Sequence, residues 1–145
     1  MVIPEYVTVE EVKRICSELG IRDWTALEEP SVLPEEAACV LKEVNVQQMH
    51  IPLKDFKAGL EVELEHGIRF TDANITNNHP LLTGKIVLAH LKETLDYYQR
   101  IDIAEAEADL FKAICAQDTA KIFAKYRKLT EAKIELCYLE TQKMT

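Results

Sequence analysis

At 145 residues the chain is long enough to bury a core without disulfide or metal staples, and its 48% hydrophobic and 29% charged residues argue against disorder. A net charge of −8, with no basic stretch set against it, excludes nucleic-acid phosphate and an anionic membrane surface as the main partner. Only 4 Gly and 5 Pro leave few places for turns, which favours helices over a many-turned β fold.

Thr8-Val9-Glu10-Glu11 is a capping-box pattern: the Thr8 hydroxyl can accept an orphan backbone N–H, and Glu11 can reach back. The first helix is expected to run through Val12, Ile15, Cys16 and Leu19 until Gly20 stops it in a left-handed conformation. Trp24 follows in a short connection and reads as a core anchor. Pro34, with Glu35 and Glu36 behind it, opens a second helix through Ala37, Val40, Leu41 and Val44. Periodicity lapses from Asn45 to His50, and Pro52 begins the third helix. There Leu53, Phe56, Leu60 and Leu64 form one core-facing stripe, Glu61 and Glu65 face solvent, and Glu63 and His66 lie at the edge of the apolar arc before Gly67 ends the helix.

A polar loop, Asp72 to Asn78, leads to Pro80 and a fourth helix. Lys85, Lys92, Asp96 and Gln99 share an arc of roughly 60°. The rest, from Leu82 to Leu95, Tyr97 and Tyr98, is nearly all apolar, so this helix is expected to be central, with His90 and Glu93 aimed inward. Asp102 with Glu105 resembles the cap of a fifth helix carrying Ala104, Ala108, Phe111 and Cys115. A break at Gln117-Asp118 precedes a last helix, residues 118–143. At ~1.5 Å per residue it is longer than a compact domain of this size needs, and it is expected to pair with another subunit.

The four cysteines, Cys16, Cys39, Cys115 and Cys137, form no C-x-x-C pair, and each reads as a buried small hydrophobe in a reducing compartment. With no charged start leading into an apolar segment and no apolar run near ~20 residues, a cytoplasmic protein is expected. Asn74-Ile75-Thr76 then matches a glycosylation acceptor only by accident.

One constellation carries chemistry. Glu63-x-x-His66 on the third helix faces the reversed order, His90-x-x-Glu93, on the fourth. Residues three apart on a helix can ligate together, and Glu-x-x-His is a spacing used by helical bundles that hold iron or manganese. Two carboxylates and two imidazoles suit a divalent iron, zinc or manganese ion. The connecting loop, at up to ~3.3 Å per residue, can run past the helix end and return, which would bring Asp72, Asn74 or His79 over the site. Tyr97 and Asn74 are candidate supporting donors. A metal-free alternative stands beside this reading: His66 before Gly67 can satisfy the helix C-terminus, and His90 can close a polar network with Glu63.

Gly59-Leu60-Glu61-Val62-Glu63-Leu64-Glu65-His66-Gly67, Asn74-Ile75-Thr76, Leu82-Thr83-Gly84-Lys85-Ile86, Ala89-His90-Leu91-Lys92-Glu93 and Asp96-Tyr97-Tyr98 together resemble a family of small uncharacterised bacterial, archaeal and phage proteins, a domain of unknown function. The resemblance covers about residues 53–110 and implies no activity. The chain departs from the pattern at Asn78-His79, where acidic residues are usual, and at Leu95, where Pro is common, which implies a more continuous fourth helix. The expectation is an all-α, single-domain bundle of five or six helices spanning residues 1–145, with the last helix as an oligomerisation element of a homodimer. The functional readings are three: a divalent-metal protein using Glu63, His66, His90 and Glu93; a non-enzymatic interaction module; and metal-free acid/base catalysis by His90 and Glu93.

Overall fold

The computed structural model describes residues 6–144. Among them are six α-helices, two short 3-10 turns and no strand, so the all-α expectation and the long last helix both stand. The chain falls into two compact units, Met1–Leu95 and Asp96–Thr145. The first holds α1 (Val9–Leu19), α2 (Pro34–Val44), α3 (Leu53–Arg69) and α4 (Pro80–Glu93); the second is the pair α5 (Tyr97–Cys115) and α6 (Thr119–Lys143). Among the described residues no helix is long and apolar enough to cross a membrane.

In the first unit, the Thr8 hydroxyl accepts the Glu11 N–H at 3.2 Å and opens α1. Gly20, at φ 67°, closes it by donating to the carbonyls of Cys16 and Ser17. Glu11 does not complete a capping box; its carboxylate reaches forward to Arg14 Nε at 2.8 Å. Trp24 is fully buried in a 3-10 turn, as expected of an anchor. Pro34 sits in the first turn of α2, but the side chain that fastens this helix start is Glu36, only 2% exposed. Its carboxylate accepts from Leu33 N (2.9 Å), Arg22 N (3.1 Å), Arg22 Nε (2.8 Å) and Arg22 Nη2 (2.7 Å). Burial alone would raise its pKa; the Arg22 guanidinium and the two backbone N–H groups outweigh that and hold it below the usual carboxylate range.

Helices α2, α3 and α4 pack against one another pairwise, and α1 packs on α4 and the Trp24 turn. Phe56, Leu60 and Leu64 of α3 and Val87 of α4 are fully buried, and Leu91 of α4 nearly so. Each such side chain contributes about 1.5–3 kcal/mol by leaving water. Leu53, at the head of the expected stripe, is 38% exposed, although Phe56 in the same turn is fully buried. Helix α2 packs tightly on α4 at Gly84, where a Cβ would stand 2.5 Å from Val40 Cγ1 and 3.3 Å from Val44 Cγ1.

Several boundaries depart from the sequence reading. Gly67 does not stop α3, which continues to Arg69 with Phe70 as its cap. Glu61 is not a solvent residue; it accepts from Val32 N at 3.0 Å and Lys57 Nζ at 2.6 Å, tying the 28–33 segment to α3. The fourth helix ends at Glu93, because Thr94 is extended (φ −159°, ψ 140°), and a new helix starts at Tyr97. Asp102 caps nothing, since α5 runs through it and its carboxylate pairs with Lys128 Nζ at 2.7 Å.

In the second unit α5 and α6 form an antiparallel hairpin burying Ala106, Ala113 and Leu129. Ion pairs flank the seam: Asp109–Lys125 (2.7 Å), Glu107–Lys133 (2.8 Å) and Arg100–Glu140 (2.7 Å). The turn comes where expected, with Gln117 at φ 53° and the Asp118 carboxylate accepting from Lys121 N at 3.1 Å. Asp96 does not lie on an exposed polar arc; it is 3% exposed and paired with Arg100 (3.1 Å) and Lys143 (3.0 Å). Of the cysteines, Cys16 is buried and Cys39 half-buried, but Cys115 and Cys137 are exposed, against expectation.

Candidate functional site

The inverted spacing on α3 and α4 brings one pair together. His90 Nε2 lies 3.7 Å from Glu63 Oε1, with the side chains 30% and 19% exposed. That is beyond a direct hydrogen bond but within the reach of a charge pair or a bridging donor. Glu63 and, one turn further along α3, His66 line a cavity of about 220 Å³. Gly67 and Phe70 continue its wall from α3, the residues Ala73, Asn74, Ile75 and Thr76 close it from the loop, and Thr83 and Ile86 bound it on α4.

The loop wall is built on asparagines. Asn74 Nδ2 donates to the Gly67 carbonyl (3.1 Å) and to Asn78 Oδ1 (2.9 Å), while its Oδ1 accepts from the Thr76 hydroxyl (3.3 Å). Asn78, 7% exposed, donates onward to the Trp24 carbonyl at 3.3 Å, and Asn77 donates to the Val7 carbonyl at 2.6 Å. Asn77 and Asn78 stand at φ 48° and 61°, a left-handed conformation that Asn tolerates better than most residues. Gly67 is a glycine because this wall leans on it: an added Cβ would run into Asn78 Oδ1 and stand 2.9 Å from Asn74 Nδ2. Asn74, expected as a supporting donor, therefore holds the wall in place.

His79 caps α4, its Nδ1 accepting from Leu81 N (3.2 Å) and Leu82 N (3.4 Å), and burial holds its pKa below the ordinary histidine value. Glu93 is exposed. His90 already sits at the rim of the buried face, and three residues along a helix turn a side chain by about 60°, which carries Glu93 into solvent. Asp72 is exposed in the 3-10 turn Thr71–Ala73. Tyr97 belongs to the other unit, where its ring meets Tyr98 edge-on at 5.3 Å between centroids. Among the described residues no three His, Cys, Asp or Glu side chains converge as a metal-ligand group.

The cavity has a definite electrostatic character. Among the described residues that line it, Glu63 is the one carboxylate and none is Lys or Arg. The His66 ring lies 6.5 Å from that of Phe70, inclined at 28°, and the Arg69 guanidinium caps Phe70 at 5.3 Å from the ring centroid. Phe70, Ala73, Ile75 and Ile86 are the cavity's apolar lining residues. Thr83 and Ile86 lie in the Leu82–Ile86 stretch that the sequence singles out, but nothing in the sequence marks Phe70 or Ala73 as wall residues.

The family model described as Protein of unknown function (DUF5661) matches residues 12–107, and the chain belongs to that family. The matched segment contains every residue of the cavity wall and stops within α5, leaving α6 outside it. No curated protein and no solved structure matches the chain.

Proposed function

We propose, for this member of a family of unknown function, that the cavity beside Glu63 binds a small organic cation, such as a primary alkylammonium ion. The observation that carries the reading is a carboxylate shielded to 19% exposure in a cavity whose described lining residues include several apolar side chains and no Lys or Arg. A carboxylate sheltered from water attracts a cation more strongly than one on an open surface, and an N⁺–H···O⁻ bond is among the stronger hydrogen bonds. The walls from Phe70, Ile75 and Ile86 would take the ligand's carbon skeleton, which favours an organic cation over a bare ion. The volume is below the roughly 300–1,000 Å³ of sites for drug-sized ligands, so the ligand has few heavy atoms. His90 positions Glu63, and His66 offers a second polar contact.

The other reading of these residues is a divalent iron, zinc or manganese ion on Glu63, His66, His90 and Glu93. Such an ion wants about three or four protein ligands, and the exposure of Glu93 leaves the set short. The test is calorimetric titration of the full chain with primary alkylammonium ions, with alkylcarboxylates of the same size and with each divalent metal alone. Ammonium binding should weaken at least about tenfold in Glu63→Gln, because a hydrogen bond to a charged group contributes about 1.5–3 kcal/mol, while helicity stays unchanged. Equal binding by Glu63→Gln, or none by the parent, would end the proposal. A stoichiometric metal lost in the same variant would put the metal reading in its place.

A further inference from the structure

The α5–α6 hairpin leaves a second apolar face uncovered, independently of the cavity. At about 100° per residue, Phe123, Tyr126, Thr130, Ile134, Cys137 and Tyr138 of α6 fall within an arc of about 120°. The face that packs on α5, with Leu129 buried and Ile122, Leu136 and Leu139 half-buried, lies on the other side of the helix. Phe123 is 72% exposed, Tyr126 62%, Ile134 65% and Tyr138 63%. Phe111 (66%) and Ile114 (50%) of α5 add to this at the turn end. Polar groups within the arc are satisfied locally: the Thr130 hydroxyl donates to the Tyr126 carbonyl at 2.9 Å, and Arg127 pairs with Glu131 at 3.1 Å.

We propose that this face joins two copies of the chain, hairpin against hairpin, as a four-helix bundle. The area fits. With about 200 Å² for a whole aromatic side chain, these exposures amount to roughly 700 Å² per copy, close to the ~800 Å² per partner of a standard stable interface. The charge distribution selects a like copy as the occupant. Residues 1–95 carry 9 Lys and Arg against 16 Asp and Glu, a net −7 that repels itself. Residues 96–145 carry 8 against 9, a net −1, so hairpin against hairpin adds little charge repulsion of its own. Helices that are apolar on two sides are what such a bundle consists of.

The experiment is sedimentation equilibrium of the full chain over a wide concentration range, beside Phe123→Glu and Ile134→Glu. The expected result is a monomer–dimer equilibrium in the parent and a monomer in both variants, with helicity retained because the replaced side chains are exposed. A parent that is monomeric at its highest soluble concentration overturns the proposal, as does a dimer that either folded variant keeps. Should a variant lose its helicity, the parent still decides. Alkylation of Cys137, located by mass spectrometry, should slow as the chain associates; a rate independent of concentration overturns the proposal.

Discussion

Replacing Gly67 with alanine sets two magnitudes of opposite sign against each other. Gly67 lies inside α3 rather than at its end, so helix propensity alone predicts that Gly67→Ala stabilises the protein by up to about 1 kcal/mol. The new methyl group, however, needs the space that Asn78 Oδ1 and Asn74 Nδ2 occupy. Moving them breaks the bonds from Asn74 to the Gly67 carbonyl (3.1 Å) and to Asn78 (2.9 Å). Each is worth about 0.5–1.5 kcal/mol, and leaving a buried amide unsatisfied costs about 1–3 kcal/mol more. The packing cost wins, for a net destabilisation of about 2 kcal/mol. With a slope of about 1–3 kcal/mol per M, the urea midpoint should fall by about 1 M. Ala58→Gly, on the exposed face of the same helix, measures the propensity contribution by itself. A Gly67→Ala protein as stable as the parent, or more so, would show that the asparagine wall does not lean on the helix as described.

Two further predictions concern titratable groups that fasten helix starts in the first unit. Glu36→Gln should cost about 2–3 kcal/mol by chemical denaturation, at the lower end for a broken buried pair because the Arg22 side chain is 40% exposed. Since Glu36 is held below its ordinary pKa, its contribution is fully present above about pH 4.3 and is lost as pH falls through the lower folded value. The variant's stability should therefore decline less in acid, and a parallel decline would contradict the assignment. His79 is depressed by burial, so the unfolded chain takes up its proton more readily and stability should drop as pH falls below about 6.5. His79→Asn keeps an acceptor at the α4 cap and should flatten that decline; an unchanged pH profile would assign it to another group.

Where local chemistry decided the outcome, the sequence was readable. Thr8, Gly20, Pro34, Pro80 and Asp118 mark helix ends by effects confined to one turn, and the helices begin or end at or beside them. Long-range partners overrode the same kind of signal elsewhere. Gly67 looks like a helix stop, but its missing side chain serves Asn74 and Asn78. Asp102 looks like a cap, but Lys128 on the facing helix claims it. Glu61 falls on the polar side of a helical wheel, yet the Val32 N–H needs an acceptor there. The break at Thr94 carries neither Gly nor Pro, so periodicity alone runs through it. For the site, inverted spacing was enough to pair Glu63 with His90. It could not place Glu93, because the rotation that decides between cavity and solvent depends on how deeply His90 sits.

Mapping where a ligand lands tests the central claim most directly. In a two-dimensional amide NMR titration of the full chain with a primary alkylammonium ion, the account predicts saturable shifts clustered at residues 63–76 and 83–86, absent in Glu63→Gln. Shifts scattered over the acidic surface without saturation, or a cluster away from Glu63, would contradict it.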